Sequence, residues 1–473
     1  MRASAFAYRA SKLLRWAPTR LEACPELGPA SYPEQEGRKV MGEGRIVFTN
    51  ANLLDGDNAA QPGMSVTVEG NRITSISAEA VPTSAEDRVI DLSGKTLMPG
   101  LISSHFHTGF GPAPEQAPPM LGLDSSLPYM GMIGVMNMRI ALDSGVTSII
   151  GSSNPGYLDV ALNEAMILGI AEGPRITPCS HELVASGDMA DGTNRAWYME
   201  LGQHGLTRRV DGVDAMRQTV REEAGRGCKV IKISVSPGHG SHPAYDRVYY
   251  TQDEINTAVE TATEYGAFVR AHTASTRSVI ACASAGVRII DHADCIDQQG
   301  IDLVLEKGAF ITPSMLWTVR YLQFADSWDH ATSKFPIGDG FPETLDVTLE
   351  RLEAVRRDFE YTAGILPEME KAGVQLLVGD DFGYPMMPHG DYVSEFEIYT
   401  KEIGIPALSV IRWATKNGAA AMGMADEVGT IEEGKLADLL VVDGDPTADI
   451  SCLRTQIQVV MQNGKIVRDR LGA

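Results

Sequence analysis

Eight short runs of apolar and β-branched residues, most of them ending in polar side chains, recur between Leu97 and Phe382, and this repetition limits the fold more than any other feature. They are LMPGLISSHFH (97–107), VTSIIGSS (146–153), RITPCSHEL (175–183), KVIKISVS (229–236), FVRAHTAS (268–275), RIIDHADCI (288–296), FITPSML (310–316) and LLVGDDF (376–382). Helical stretches follow several of them: Thr251 can cap DEINTAVETATEYG, and the stretch from Thr276 to Ala285 stops at Gly286. Strands alternating with helices predict parallel pairing. Eight of them predict an α/β fold of the (β/α)8 TIM-barrel type, whose chemistry sits where strands end and loops begin. A doubly wound open sheet is the alternative, but no GxGxxG or GxxxxGK segment follows the early strands.

The flanks have a different texture. From Arg45 to Leu97, RIVFTNANLLDG, MSVTVEGNRITSISA and RVIDLSGKTLMPG read as strand, turn, strand, and the same pattern returns in GTIEEGKLADLLVVDGDP and QIQVVMQNGKIVRD, where the NG dipeptide marks a hairpin. Residues 45–97 and 429–473 are therefore expected to form one composite β-sandwich domain, with the barrel at 98–428. The opening MRASAFAYRASKLLRWAPTR is basic and has no acid. Residues 1–44 read as a weakly ordered extension; a transit-type leader and a start at Met41 are the alternatives.

Composition bounds the partners. The 473 residues carry 62 acidic and 40 basic side chains, a formal charge of −22, which argues against a nucleic-acid surface. Cys24, Cys179, Cys228, Cys282, Cys295 and Cys452 form no CxxC pair and lack the spacing of a disulfide scaffold, so reduced thiols and a cytoplasmic location are expected. No apolar run reaches the roughly 18 residues of a membrane span, and no membrane association is expected.

The polar strand ends carry the chemistry. His105 and His107 are two apart on a strand, so both side chains leave one face and can grip one cation. In KVIKISVS, alternation puts Lys232 on the face opposite Lys229. A lysine that points into an apolar barrel loses its charge or finds partners; when neutral it can take up carbon dioxide, and the carbamate is an anionic ligand able to bridge two divalent ions. A surface or salt-bridged lysine is the plainer reading. His272 and His292 each follow apolar residues on successive strands; singly, each would be a core histidine. Asp381 ends LLVGDD, with Asp380 on the opposite face by alternation unless the turn is irregular; it can bind a metal and hydrogen-bond an attacking water, or simply cap a helix.

Taken together, KTLMPGLISSHFH, KVIKISVS, RAHTAS, IIDHAD, LLVGDD and GKLADLLVVDGDP resemble the amidohydrolase superfamily from about Arg45 to Arg468. Within it, the second lysine of KxxK and the two following histidines resemble the imidazolonepropionase-like and prolidase-like branch, which includes ochratoxin hydrolases; molinate and phenylurea hydrolases belong to the same superfamily. The resemblance implies two divalent cations, zinc foremost with Mn, Co, Ni or Fe as alternatives. His105, His107 and Asp381 would hold one ion, His272 and His292 the other, and Lys232, carboxylated by carbon dioxide, would bridge them. It also implies assembly into a homo-oligomer.

The expected reaction is hydrolysis of an amide-type C–N bond, with Asp381 moving the proton of a metal-activated water. The absence of a GxSxG elbow weakens a serine-hydrolase reading. A cyclic-amidine deaminase of the same superfamily is one alternative, although no HxxE-type segment follows the fifth strand, where the sequence reads AHTASTRS. A catalytically inactive binding barrel is the other. Three departures bear on the substrate: the third strand leads into HELVASGDMADG instead of a Gly-Gly-His-Gly type segment, the second ends IIGSSNPG without an Arg-Asp pair, and the fourth runs into SPGHGSHPAYDRVYY. His181, His239, His242, Tyr245, Trp317 and Tyr384 are the candidate substrate contacts. Met315, Phe382, Met386 and Met387 add apolar surface that would suit a hydrophobic or aromatic small molecule: an N-acyl amino acid, carbamate, thiocarbamate or urea.

Overall fold

A computed structural model describes residues 44–111, 126–188, 190–191, 205–239, 247–331, 344–384 and 387–471. The β-branched runs of the first flank form β1 (Ile46–Leu53), β2 (Gln61–Glu69), β3 (Arg72–Ser77), β4 (Arg88–Asp91) and β5 (Lys95–Pro99). β1 and β2, and β2 and β3, pair antiparallel; the second hairpin turns at Gly70 and Asn71, with Gly70 at φ +61° and Glu69 opposite Arg72.

Each of the eight central runs contributes a strand. These are β6 (Leu101–Phe106), β7 (Val146–Gly151), β8 (Arg175–Thr177) with β9 (Cys179–Val184), then β11 (Val230–Ser234), β12 (Phe268–Ser275), β13 (Ile289–Cys295), β14 (Phe310–Thr312) and β15 (Gln375–Leu376), with a short β10 (Thr207–Arg209) before β11. The third run divides because Pro178 has no N–H to give a ladder. All central pairings are parallel, in the orders β6-β7-β8 and β10-β9-β11-β12-β13-β14-β15. Hydrogen bonds continue beyond both sheets: Ser104 N–H donates to Val378 O just after β15 (2.8 Å), and Asn154 N–H just after β7 donates to Ser180 O in β9 (3.3 Å). Every residue of β6, β7 and β11 is buried, as expected for strands covered on both faces.

Helices supply the outer cover: α1 (Leu127–Asp143), α2 (Leu158–Ile167), α3 (Val213–Gly225), α4 (Gln252–Glu264), α5 (Thr276–Ala285), α6 (Gln298–Lys307), α7 (Met315–Ser327) and α8 (Leu345–Ala372). Their ends follow the sequence signals. Thr251 accepts from Glu254 N–H, and the Glu254 carboxylate accepts from Thr251 N–H, a reciprocal cap that starts α4; Gly286, at φ +87°, ends α5. None of the helices among the described residues is long and apolar enough to cross a membrane.

The second flank returns as β16 (Leu439–Asp443), β17 (Ile457–Gln462) and β18 (Lys465–Asp469). These join the first flank in the order β18-β17-β16-β5-β1-β2-β3, with β16 antiparallel to β5. The NG dipeptide is the hairpin turn between β17 and β18: Asn463 and Gly464 have φ +51° and +76°, and Gln462 faces Lys465. Phe48, Val66, Leu97, Val441 and Met461 pack into a core of this sheet's own. Only Gly100 separates β5 from β6, and a Cβ there would lie 2.2 Å from the Thr147 hydroxyl oxygen, so the first flank feeds directly into the strand that carries His105.

Candidate metal centre

β6 delivers the first pair. His105 Nε2 and His107 Nε2 both reach Asp381 Oδ1, at 2.7 and 2.9 Å, and the far side of the His107 ring, Nδ1, is 3.0 Å from Ser153 O. A carbonyl can only accept, so Nδ1 carries a proton, and Nε2 is the nitrogen turned toward Asp381. Phe110 stacks on the His107 ring at 4.2 Å. Burial pushes the Asp381 carboxyl upward, but the two histidines overcome this and hold it well below the usual carboxylate range. Its neighbour Asp380 accepts from Trp317 N–H and Asp381 N–H, both at 2.9 Å, so of the DD pair one residue faces the histidines and the other holds backbone.

β11 turns Lys232 inward, where its Nζ donates to Asp291 Oδ2 at 2.6 Å. Asp291 is fully buried and also takes both arms of Arg270, with Nε to Oδ2 at 3.1 Å and Nη2 to Oδ1 at 2.6 Å. The remaining Arg270 nitrogen donates to Ser104 O (2.7 Å) and Gly151 O (2.8 Å), so one guanidinium on β12 ties β6 and β7 to β13. Burial alone would raise the Asp291 carboxyl; Arg270 and Lys232 drive it far down.

His272 and His292 complete the ring, their centroids 4.6 Å apart, with His292 5.6 Å from His105. His272 Nε2, His292 Nδ1 and His105 Nδ1 are buried without a hydrogen-bond partner. Burial lowers His105 to about 4 and His272 to about 3, and it also lowers His292, which favours the neutral imidazole in all three. Strict alternation would place only one of the adjacent residues Asp291 and His292 inside. His292 and Ala293 take φ +69° and +53°, and this departure from extended backbone brings both to the interior.

His239 enters from the loop after β11, also at positive φ (+52°). Its Nδ1 meets Asp294 at 3.1 Å, its Nε2 is buried and unpartnered, and its ring stacks on His292 at 3.8 Å and 19°. Burial disfavours its charged form, yet Asp294 more than compensates and raises it. Donor atoms of His239, His292 and Asp381 lie within 4.8 Å of one another, as do those of His105, His107 and Asp381. The two groups are not equivalent. Nearly parallel rings hold their in-plane lone pairs in separate planes, and an ion about 2.1 Å from both nitrogens would sit far out of each plane. As placed, His239 lies against His292 and Trp317, beside the group formed by His105, His107 and Asp381.

The other candidate contacts fare differently. Trp317, at the start of α7, lies 5.0 Å from His239, and Tyr384 meets Phe110 edge-on at 5.7 Å. Met315, Phe382 and Met387 are buried; His242, Tyr245 and Met386 fall outside the described residues, as does the extension up to residue 43. His181 is turned away from the cluster. Its Nδ1 bonds to Glu223 on α3 (3.0 Å), and its Nε2 accepts from Gly156 N–H (3.1 Å), so neither nitrogen is left for a substrate. Its neighbour Glu182 takes the inner face instead. Glu182, Arg270, Asp291 and Asp294 were not singled out from the sequence; the signal available was their position one or two residues from a named histidine on a strand.

Three buried imidazoles, each with one nitrogen that has no hydrogen-bond partner, two histidines converging on one carboxylate and an inward lysine form a donor set that fits divalent cations. The family model for the amidohydrolase family matches residues 96–467. The chain belongs to the amidohydrolase family. It has that superfamily's α/β fold with parallel strands, and family membership makes it a hydrolase. Ochratoxinase from Aspergillus niger is 24% identical over 94% of this chain and 92% of its own length. A Xaa-Pro dipeptidase crystallised with methionine in its active site shares 26% of residues over 90% of this chain and all of its own, with a TM-score of 0.76. Molinate hydrolase, at 22% identity, TM-score 0.69 and coverage of 90% of this chain and 95% of its own, shares the fold.

Proposed function

We propose that this protein is a metal-dependent hydrolase that cleaves an amide-type C–N bond of a hydrophobic or aromatic small molecule, such as an N-acyl amino acid, carbamate, thiocarbamate or urea. The convergence of His105 and His107 on Asp381, with unpartnered His272 and His292 beside them, carries this reading. We read the parallel strands as closing into a (β/α)8 barrel with the cluster in its mouth, and the sheet made from both chain ends as the β-sandwich domain. His105, His107 and Asp381 would hold one cation, His272 and His292 a second, and Lys232, as its carbamate, would lie between them. Such a cation, when bound, supplies an electrophile for the carbonyl oxygen and lowers the pKa of water from about 15.7 toward about 7.

The chain's own groups do the rest. Asp381 accepts the proton of the attacking water at its carboxylate and returns it to the leaving nitrogen. His107 is kept in the donor tautomer by Ser153 O, and Arg270 fixes the Ser104 carbonyl next to His105. Lys232 meets one requirement for carboxylation, burial, and must give up its bond to Asp291 to meet the second, neutrality. Zinc as the resident metal, a homo-oligomeric assembly and a cytoplasmic location complete the reading.

The test is metal content of the purified protein, with hydrolysis of N-acyl amino acids, anilides, carbamates and ureas before and after chelation, and in Lys232→Ala. About two ions per chain, with activity lost on chelation and in the variant, is the expected result. A metal-free wild type, or a variant that turns over normally, would overturn it.

A further inference from the structure

β9 exposes one residue. Of Cys179–Val184, five are buried and Glu182 is half-buried. Its direction follows from two observations. His181 bonds to Glu223 on the helical cover, so the next residue along an extended strand points the opposite way, into the sheet's inner face. In the parallel ladder Glu182 is the register partner of Lys232, and register partners project to the same face. Lys232 is inside, bonded to Asp291; Glu182 therefore stands on the neighbouring strand, about 5 Å away.

The two buried cations on the neighbouring strands are already taken. Lys232 and Arg270 are both taken by Asp291, and Asp381 is held by His105 and His107. The Glu182 carboxylate has no hydrogen bond or ion pair among the described residues, although it lies within electrostatic reach of Lys232, His107, Asp381 and Tyr384. A half-buried carboxylate with no partner among the described residues favours a cation beside it and disfavours an anion. With the amide carbonyl against Asp381 and the histidines, Glu182, whose charge acts on both His107 and Asp381, is the side chain offered to a group on the carbon next to that carbonyl.

Resting on the hydrolase reading above, we propose that Glu182 sets the charge preference of the site: its carboxylate receives a protonated amino group carried next to the scissile carbonyl, making aminoacyl amides with a free amino group the preferred class. N-blocked analogues lose this contact, and substrates with a carboxylate in that position are disfavoured.

Wild type, Glu182→Gln and Glu182→Asp, loaded with zinc, would be compared on L-leucyl-para-nitroanilide and its N-acetyl counterpart, with calorimetric binding of L-leucine amide and N-acetyl-L-leucine amide in parallel. A hydrogen bond to a charged group corresponds to a factor of roughly 10–100. Wild type is expected to favour the free amine by about that factor in kcat/KM and in binding. Glu182→Gln should erase the preference while leaving the acetylated compound and the zinc content unchanged, and Glu182→Asp should keep most of it. Equal losses on both compounds, a wild-type preference for the acetylated one, or loss of zinc in Glu182→Gln would each overturn the proposal. If wild type hydrolyses neither anilide, the hydrolase reading fails for this class while the calorimetric arm still decides Glu182: leucine amide binding that Glu182→Gln does not weaken refutes it.

Discussion

Replacing Asp291 with Asn tests whether the centre is built on one buried anion. The carboxylate is fully buried and takes Lys232 on one oxygen and Arg270 on both, so an isosteric amide leaves two cations facing one neutral acceptor and an NH2 group directed at an N–H. Removing one partner from a buried charge cluster costs about 3–5 kcal/mol. For a chain of 473 residues, about 2.1 cal/mol/K per residue gives an unfolding entropy near 1 kcal/mol/K, so Asp291→Asn should lower Tm by about 3–5 °C. Lys232→Met together with Asp291→Asn removes one of the two stranded cations, and Arg270 keeps its bonds to Ser104 O and Gly151 O. The double variant should therefore be less destabilised than the sum of the singles, by about 0.5–3 kcal/mol. The assay is thermal unfolding of chelator-treated protein followed by circular dichroism. A Tm drop under about 1 °C for Asp291→Asn, or strict additivity in the double variant, would show that the three groups are not energetically one unit.

Two further outcomes follow from the segment that presents Asp381. Gly379 has φ +141°, and a Cβ on it would lie 2.3 Å from the backbone nitrogen of His105, so Gly379→Ala should cost about 3 kcal/mol and lower the bound metal measured by plasma emission; retained metal with unchanged stability refutes the close approach. Glu395 accepts from Gly379 N–H at 2.9 and 3.1 Å, and burial raises its carboxyl to about 8. A raised carboxyl stabilises the fold below its unfolded value, and that contribution is lost as pH rises through the folded one. Wild type should therefore lose stability relative to Glu395→Gln between about pH 4.5 and about pH 8, read as urea midpoints of the metal-free proteins. A difference that is flat or of opposite slope would refute the assignment.

The candidate donors of this centre stand out in the sequence because they are residue types that strands seldom bury. His105 and His107 two apart, an alternating Lys232 and a terminal Asp381 need only the period of a strand to be placed on one face, and the eight runs needed only their spacing to be read as parallel strands. Where the backbone leaves that period, the inference stops. Nothing in IIDHADC announces that His292 and Ala293 take positive φ, so Asp291 and His292 could not both be brought inside by counting. Pro178 divides the third run, and the short β10 that pairs beside β9 follows from no periodic signal.

The same limit explains His181. From the sequence, a histidine on the third strand is a natural substrate contact, and the glutamate after it looks like an ordinary polar residue. The choice between them depends on Glu223, 42 positions further along the chain and buried on α3, which takes the imidazole together with Arg208. Once that partner claims His181, alternation turns Glu182 inward against Lys232. A strand's period says only that two neighbours face opposite ways; which way each faces is decided by what the outer helices offer. Ligand sets of this kind are therefore legible earlier than the residues that choose the substrate. Ligands are named by their own chemistry, whereas a specificity residue is named by the partner its neighbour has found.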